Sequence, residues 1–312
     1  MKRYFILTML MAAACNVQAQ NRQHIAGFSQ FRQYLNPALT GYAGTAVQGF
    51  YRDQMNDFDD ASKTVFFSGE AKLPDLTGKP AGNIAHSFGL AVQYEGFGAS
   101  RDIGANLSYS AAVKIAPGLQ LSAGVAATYN NVQTETSDIT VADESDPAYL
   151  ALLNDNVLNK YGANIGVALT AKDFYAGYAL CDAFKHGSGN ASYYNSRYII
   201  QHAAQAGYRY AFSNAFGLVA NAVYRYDAHQ KGVAEGQLKT VFRNTFWAGA
   251  GYRQDIAYTF NAGIRIKQLK LEYYRELYTH QTDGLHRGGN EAVLSYNFTP
   301  VFKKAKKALD IW

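Results

Sequence analysis

Much is scarce in this 312-residue sequence. It has two cysteines and six prolines, and charged residues make up 17% of the chain, against a usual share of about a quarter. No run of about twenty apolar residues occurs, so no segment reads as a membrane-spanning helix. Cys15 falls in a leader-like segment, which leaves Cys181 alone and excludes an intramolecular disulfide in the rest of the chain. The seven histidines are scattered, and none joins a cysteine at zinc spacing. No cofactor and no metal site is expected on these grounds.

The leader is readable. Lys2 and Arg3 precede an apolar run from Tyr4 to Ala14, and Val17-Gln18-Ala19 has the small-x-small form of a cleavage site. Residues 1–19 are therefore expected to be a signal peptide, with Gln20 opening the exported chain. Cys15 behind three alanines offers a lipoprotein reading as a rival, although Ala12 stands where such boxes prefer a bulky aliphatic.

What is abundant is equally informative: 24 tyrosines, 18 phenylalanines and 28 glycines, with a mean hydropathy of −0.22. An exported chain rich in Tyr and Gly, poor in charge and without an apolar helix fits a β-barrel whose strands give half their residues to a polar lumen. A secreted β-sandwich is the alternative, and alternation separates the two. In Asp102 to Ile115, Ile103, Ala105, Leu107, Tyr109, Ala111, Val113 and Ile115 share one face, and Gly104, Asn106, Ser108, Ser110 and Lys114 the other. About fourteen alternating residues is long for a soluble strand, whereas a tilted strand crossing a bilayer needs about 9–11 plus its interfaces.

The whole chain reads as about fourteen such strands, starting near Thr45, Thr64, Ser87, Asp102, Leu119, Tyr161, Phe174, Tyr198, Phe216, Gln237, Phe246, Tyr258, Leu269 and Asn290. The expected fold is all-β, a transmembrane antiparallel barrel of outer-membrane type over residues 45–298. Long connections are expected at 133–160, 182–197, 227–236 and 279–289, all after odd-numbered strands. That parity matches barrels with short periplasmic turns and long external loops. One connection, 73–86, is long on the short-turn side. Both termini are then expected in the periplasm, with 299–312, which ends KKAKKALDIW, as a basic tail there, helical or frayed.

Residues 20–44 precede the first strand and lack its period. Tight turns at Asn36-Pro37, Gly41 and Gly44 indicate a compact segment. It is expected to enter the barrel from the periplasmic side like a plug, or to dock on its rim, anchored by Phe28, Phe31, Tyr34 and Leu35. The stretch FSQFRQYLNPALTGYAG, with Ser29, Gln30, Asn36, Pro37, Ala38 and Gly41, resembles the opening of the PorP/SprF family of type IX secretion proteins. The family's Arg-x-Gln-Trp survives as Arg52 and Gln54, with Met55 in place of the tryptophan. FWAGAGYR (Trp247 to Arg253) and the closing Glu291, Leu294, Ser295 and Tyr296 add matches, so the likeness spans nearly the whole exported chain.

The resemblance implies an outer-membrane barrel without enzymatic activity. Its implied role is to support export or surface anchoring of a secreted protein that carries a type IX C-terminal domain. Implied partners are that protein, periplasmic secretion and gliding machinery components, and outer-membrane lipid, with no nucleic acid. Ser29, Gln30, Asn36, Pro37, Gly41, Arg52 and Gln54 become the candidate partner-facing motif.

Other chemistries find little. His86 and His202 lack a nucleophile or an Asp partner nearby in sequence. The acidic loop DESDP at 143–147, with Asp138 and Asp155, could offer oxygens to calcium but fits no EF-hand, and reads first as a solvated loop. Arg52, Arg209, Arg225, Arg265, Lys114 and Glu272 fall on lumen faces. Their mixed signs favour a hydrogen-bonded, partly filled lumen over a small-solute porin, which stands as the alternative function. The purified protein in detergent should give a β-dominated circular dichroism spectrum and heat-modifiable gel migration. A helix-rich spectrum would end the barrel reading.

Overall fold

The computed structural model describes residues 24–54, 61–78, 82–136, 141, 145, 149–150, 153, 156–188, 200–228, 230–279, 288–298, 309, 311 and 312. The expected signal peptide and the acidic positions Asp138, Asp143 and Asp155 lie outside these residues. The strands are β1 (Ala46–Gln54), β2 (Lys63–Lys72), β3 (Ile84–Phe97), β4 (Ser100–Ala116), β5 (Leu119–Thr134), β6 (Val157–Ala171) and β7 (Phe174–Ser188). They continue as β8 (Gln201–Ala211), β9 (Phe216–Asp227), β10 (Gln230–Phe242), β11 (Phe246–Arg253), β12 (Ala257–Ile266), β13 (Leu269–Tyr278) and β14 (Gly288–Asn297). Every strand pairs antiparallel with its neighbours in sequence, and β1 pairs with β14, closing a barrel without edges.

Alternation explains the wall. On β4, Asn106, Ser108 and Ser110 are buried inside while Ile103 and Leu107 stand exposed outside, Leu107 at 62%. The inversion of the usual apolar interior is what hydrocarbon as outer solvent demands. The aromatic side chains of Tyr224, Tyr226, Tyr273 and Phe298 are exposed on this outer surface, as expected of rings at the membrane interfaces, whereas Trp247, which would be expected among them, is buried inside. The wall is uneven: β3 to β7 run 14 to 17 residues, β11 to β14 only 8 to 10.

One end of the barrel carries two-residue turns at 117–118, 172–173 and 267–268, and the other carries the connections 135–156, 189–200 and 279–287. On the short-turn end, the β2–β3 link holds a five-residue helix, Leu73–Thr77, stopped by Gly78 at φ 66°. The expected long loop at 227–236 is corrected. β9 and β10 pair as far as Asp227 and Gln230, with a register irregularity before Val233. Gln230-Lys-Gly-Val-Ala-Glu-Gly has glycines where the alternating apolar residues would signal a strand, which hid the first part of β10.

A second irregularity lies on β7. The β6–β7 register shifts between Ala163 and Ile165, and Asp182 adopts φ 55°. Asn164 Oδ1 accepts a hydrogen bond from the Asp182 backbone N–H at 2.9 Å, satisfying the group the bulge frees. The bulge turns both Cys181 and Asp182 inward, where Asp182 meets Lys160 Nζ at 3.0 Å.

Residues 24–45 run through the lumen along the wall. Their path differs from the expected entry at the short-turn end. His24 lies beside Arg52 and, through it, Glu276, both two residues from the ends of their strands at the long-loop mouth. The segment then descends past a four-residue helix, Arg32–Leu35, and a 3-10 turn, Pro37–Leu39, to reach β1 at the short-turn mouth. The tail also departs from a frayed periplasmic end: Leu309, Ile311 and Trp312 are buried against Ala38, Leu39, Tyr175, Val219 and Val241. Apolar side chains that leave the strand register at the mouth find inside the barrel the dry contacts that water would deny them.

The lipid face gives a stability test. Leu107→Arg puts a charge on the outer face near the middle of β4 and should cost about 2–4 kcal/mol, depending on depth. Equilibrium unfolding from lipid vesicles would measure it. A cost near zero would mean that this face does not meet hydrocarbon.

Candidate functional site

The inner segment meets the wall at three levels. At the long-loop level, Arg52 of β1 points inward and faces Glu276 Oε2 of β13 at 2.6 Å and Glu291 Oε1 of β14 at 3.3 Å. It also donates to the backbone carbonyl of His24. Arg253 of β11 pairs with Glu235 of β10 at 2.9 Å and with Glu276, and Arg225 of β9 reaches Glu235 at 3.3 Å. Three guanidinium groups thus share three carboxylates, and all six side chains are buried. Such a network is stabilising only when nearly every lobe is satisfied.

The inner segment adds to that satisfaction. Glu291 accepts the N–H groups of Ala26 and Gly27, each at 2.9 Å. A carboxylate on the wall therefore holds two consecutive amides that a non-periodic chain would otherwise bury unpaired. Burial, with Arg225, Arg253 and Arg52 nearby, pushes the His24 pKa well below its ordinary value.

At the middle level, Gln30 Nε2 donates to Glu272 Oε2 at 3.0 Å and to the Trp312 carbonyl at 2.8 Å, while its own carbonyl accepts from Gln48 Nε2 at 3.1 Å. Ser29 Oγ donates to Gln237 Oε1 at 3.0 Å. Lys239, fully buried, is held by Glu272 Oε1 at 2.8 Å and the Tyr274 hydroxyl at 3.1 Å. Phe31 packs between Phe50 and Phe66, with ring centroids 5.0 and 4.9 Å away. The Arg32 guanidinium lies over the rings of Tyr42, Tyr175 and Trp312, and Arg209 lies 4.5 Å from the Trp312 ring centroid.

At the short-turn level, Asn36 and Pro37 sit in a depression that the wall makes from glycines. A Cβ on Gly166 would lie 2.0 Å from Asn36 Oδ1, one on Gly177 2.5 Å from Asn36 Nδ2, and one on Gly124 2.4 Å from Pro37 and Ala38 backbone atoms. Only a wall without side chains at these three places admits the turn. Asn36 caps the 3-10 turn by accepting from Ala38 N–H at 2.9 Å and donates to the Val167 carbonyl at 3.1 Å. Gly41, at φ 74°, faces Ser87 closely and gives its N–H to Glu70 Oε2 at 2.6 Å.

The motif residues therefore all bear on one structure but do not converge on a point. Ser29, Gln30, Asn36, Pro37 and Gly41 line the inner segment's contacts, Arg52 anchors its first described turn, and Gln54 at the rim donates to the Tyr278 hydroxyl. Among known proteins, the family described as type IX secretion system membrane protein PorP/SprF matches residues 17–296. The chain belongs to the PorP/SprF family.

No curated protein matches this PorP/SprF chain. Among solved structures it is similar to the CymD monoaromatic hydrocarbon channel, at TM-score 0.52 and 13% identity over 89% of this chain and 94% of that one. It is similar also to the TodX deltaS2S3 mutant monoaromatic hydrocarbon channel, at TM-score 0.51 and 10% identity over 84% and 92%. The toluene transporter TbuX of Ralstonia pickettii gives TM-score 0.49 and 12% identity over 85% and 92%. At these identities the likeness to the two channels shows a shared barrel fold.

Alternation alone puts Arg52, Arg209, Arg225 and Glu272 in the lumen, but it did not single out their partners Glu235 and Glu276, nor Lys239, Tyr175 and Trp312. A signal existed for Glu276, which shares the face of Glu272 further along the strand. Two substitutions test this geometry. Arg52→Ala leaves Glu291 without its guanidinium and Glu276 with Arg253 alone, and should cost about 3 kcal/mol of unfolding free energy, read by equilibrium unfolding from lipid vesicles. Gly124→Leu should expel the Asn36-Pro37 turn while the wall still closes, which limited proteolysis would read as new cleavage within 24–44. An unchanged digestion pattern would contradict the glycine seat.

Proposed function

We propose that this PorP/SprF protein is a filled outer-membrane scaffold that supports export or surface anchoring of a type IX secretion substrate, not an open pore for small solutes. The observation that carries this reading is the inner segment, which crosses the lumen and is tied to the wall by Glu291, Glu272 and Glu70. A segment that removes buried charges from solvent is held by the barrel's own stability. The short-turn end faces the periplasm, where it meets secretion machinery, and the long-loop end faces outward, where it meets the exported partner. In that orientation the first described turn of the inner segment lies toward the cell surface, within reach of a partner arriving there.

The small-solute channel is the competing reading, since the similar solved barrels are named as hydrocarbon channels. The mixed-sign, ion-paired lumen supports the scaffold. Changing Asn36 and Pro37 together to alanine, or deleting 24–44, should reduce surface display of the partner while barrel insertion continues. Planar-bilayer recordings of the intact protein should show little steady conductance. Large stable channels in the intact protein, together with unchanged display in the deletion, would favour the porin. For orientation, Ser145→Cys should be labelled on intact cells by an impermeant maleimide and Gly118→Cys should not. The reverse pattern would invert the topology.

A further inference from the structure

Beside the seated turn, the short-turn mouth holds a cavity of about 320 Å³. Its floor carries the hydroxyls of Ser87, Ser110, Ser122 and Thr170, and Trp312 closes one side. Its rim is cationic. Lys72 comes from the end of β2, Lys114 from β4 and Lys172 from the β6–β7 turn, and Arg209 from β8 lies deeper. Arg209 is engaged, donating from Nε to Asp173 Oδ1 at 3.1 Å and from Nη2 to the Lys172 carbonyl at 2.6 Å. The three lysines form no ion pair among the described residues. The nearby carboxylate Glu70 is already engaged by the Gly41 N–H.

We infer that this vestibule is a binding site for an extended acidic peptide, whose carboxylates meet Lys72, Lys114 and Lys172 in turn. Three observations select that ligand. The lining lies on the lumen side of the wall, so a bilayer lipid cannot present a headgroup to it. Lys72 stands at the end of β2, Lys114 on β4 and Lys172 directly after β6, with one intervening strand between each pair. Adjacent strands are about 4.8 Å apart, so the lysine backbones are spaced by about 10 Å, too far for one compact anion to engage all three. An extended peptide repeats its same-face side chains every ~7 Å, which flexible lysine stems can follow. Ser110 already donates to the Ala38 carbonyl at 3.1 Å, so the hydroxyls of Ser87, Ser122 and Thr170 are the ones that serve as donors to carboxylate oxygens or to the peptide backbone. The cavity is too small for a folded domain and large enough for a few side chains. This goes beyond the scaffold reading, because it requires only the mouth and not its orientation in the membrane.

The test uses full-length protein in detergent and a fluorescent heptapeptide alternating aspartate with serine. A control peptide carries asparagine in place of aspartate. The aspartate peptide should bind and the control should not, and affinity should fall as salt rises. A Lys72→Gln, Lys114→Gln, Lys172→Gln variant that retains heat-modifiable migration should lose roughly tenfold or more in affinity. The single charge reversal Lys114→Glu should weaken binding in the same direction, which keeps the proposal testable if the triple variant fails to fold. Inorganic phosphate and citrate should compete no better than sodium chloride of equal ionic strength. Equal binding of the two peptides, or unchanged affinity in the lysine variants, overturns the site. Saturable displacement by phosphate or citrate at low millimolar concentration overturns the peptide assignment in favour of a small free anion. Unchanged surface display in the 24–44 deletion, with peptide binding by the intact protein retained, would count against the scaffold reading alone.

Discussion

The lumen depends on one constraint: a charge facing inward must meet its opposite inside. Alternation along the strands sends half of every strand to the interior, and in this chain that half includes Arg52, Arg225, Arg253 and Lys239, all buried. A buried guanidinium without a partner costs several kcal/mol. The wall supplies Glu235, Glu272, Glu276 and Glu291 on β10, β13 and β14, which brings sign balance to one half of the barrel. Carboxylates accept several hydrogen bonds, and the arginines and lysine do not exhaust them. The backbone of Ala26 and Gly27 and the side chain of Gln30 complete the set. The inner segment is therefore a constituent of the barrel's electrostatics, not an addition to it.

Sterics fix what electrostatics attract. On the other half of the barrel the wall is bare at one place, where Gly124, Gly166 and Gly177 form the seat of Asn36-Pro37. Proline fixes its own φ and the 3-10 turn leaves few soft dihedrals, so the seat receives a stiff element. The charged side and the glycine side together hold the segment at both mouths. Arg32 and Arg209, stacked on Trp312, link it to the returning end of the chain. The vestibule beside that contact is the part of the mouth whose cations the segment leaves to others.

The wall was legible because its signal is local. Period two over strands such as β4 needs no knowledge of the partner strand, and the starts at Leu119, Phe174, Phe216, Phe246 and Leu269 coincide with those read from alternation. Legibility failed where glycine replaced the apolar beat, at the start of β10, and where a bulge shifted phase, at Asp182. The compactness of 24–44 was visible in its turns and aromatics. Its direction was not, because nothing local to Phe28 or Asn36 says which distant carboxylate will receive an amide; Glu291 is 265 residues from Ala26. The buried Trp312 was obscured for the same reason, since four lysines ahead of it read as a solvated tail.

That the inner segment is a fixed part of the folded barrel is tested most directly by amide hydrogen exchange on the intact protein in detergent. The amides of Ala26 and Gly27, which donate to Glu291, and that of Ala38, which donates to Asn36, report on it. A fixed segment predicts protection comparable to that of the mid-strand amides of β1 and β14. Exchange of these amides at the rate of an unstructured peptide, with the strands still protected, would contradict it.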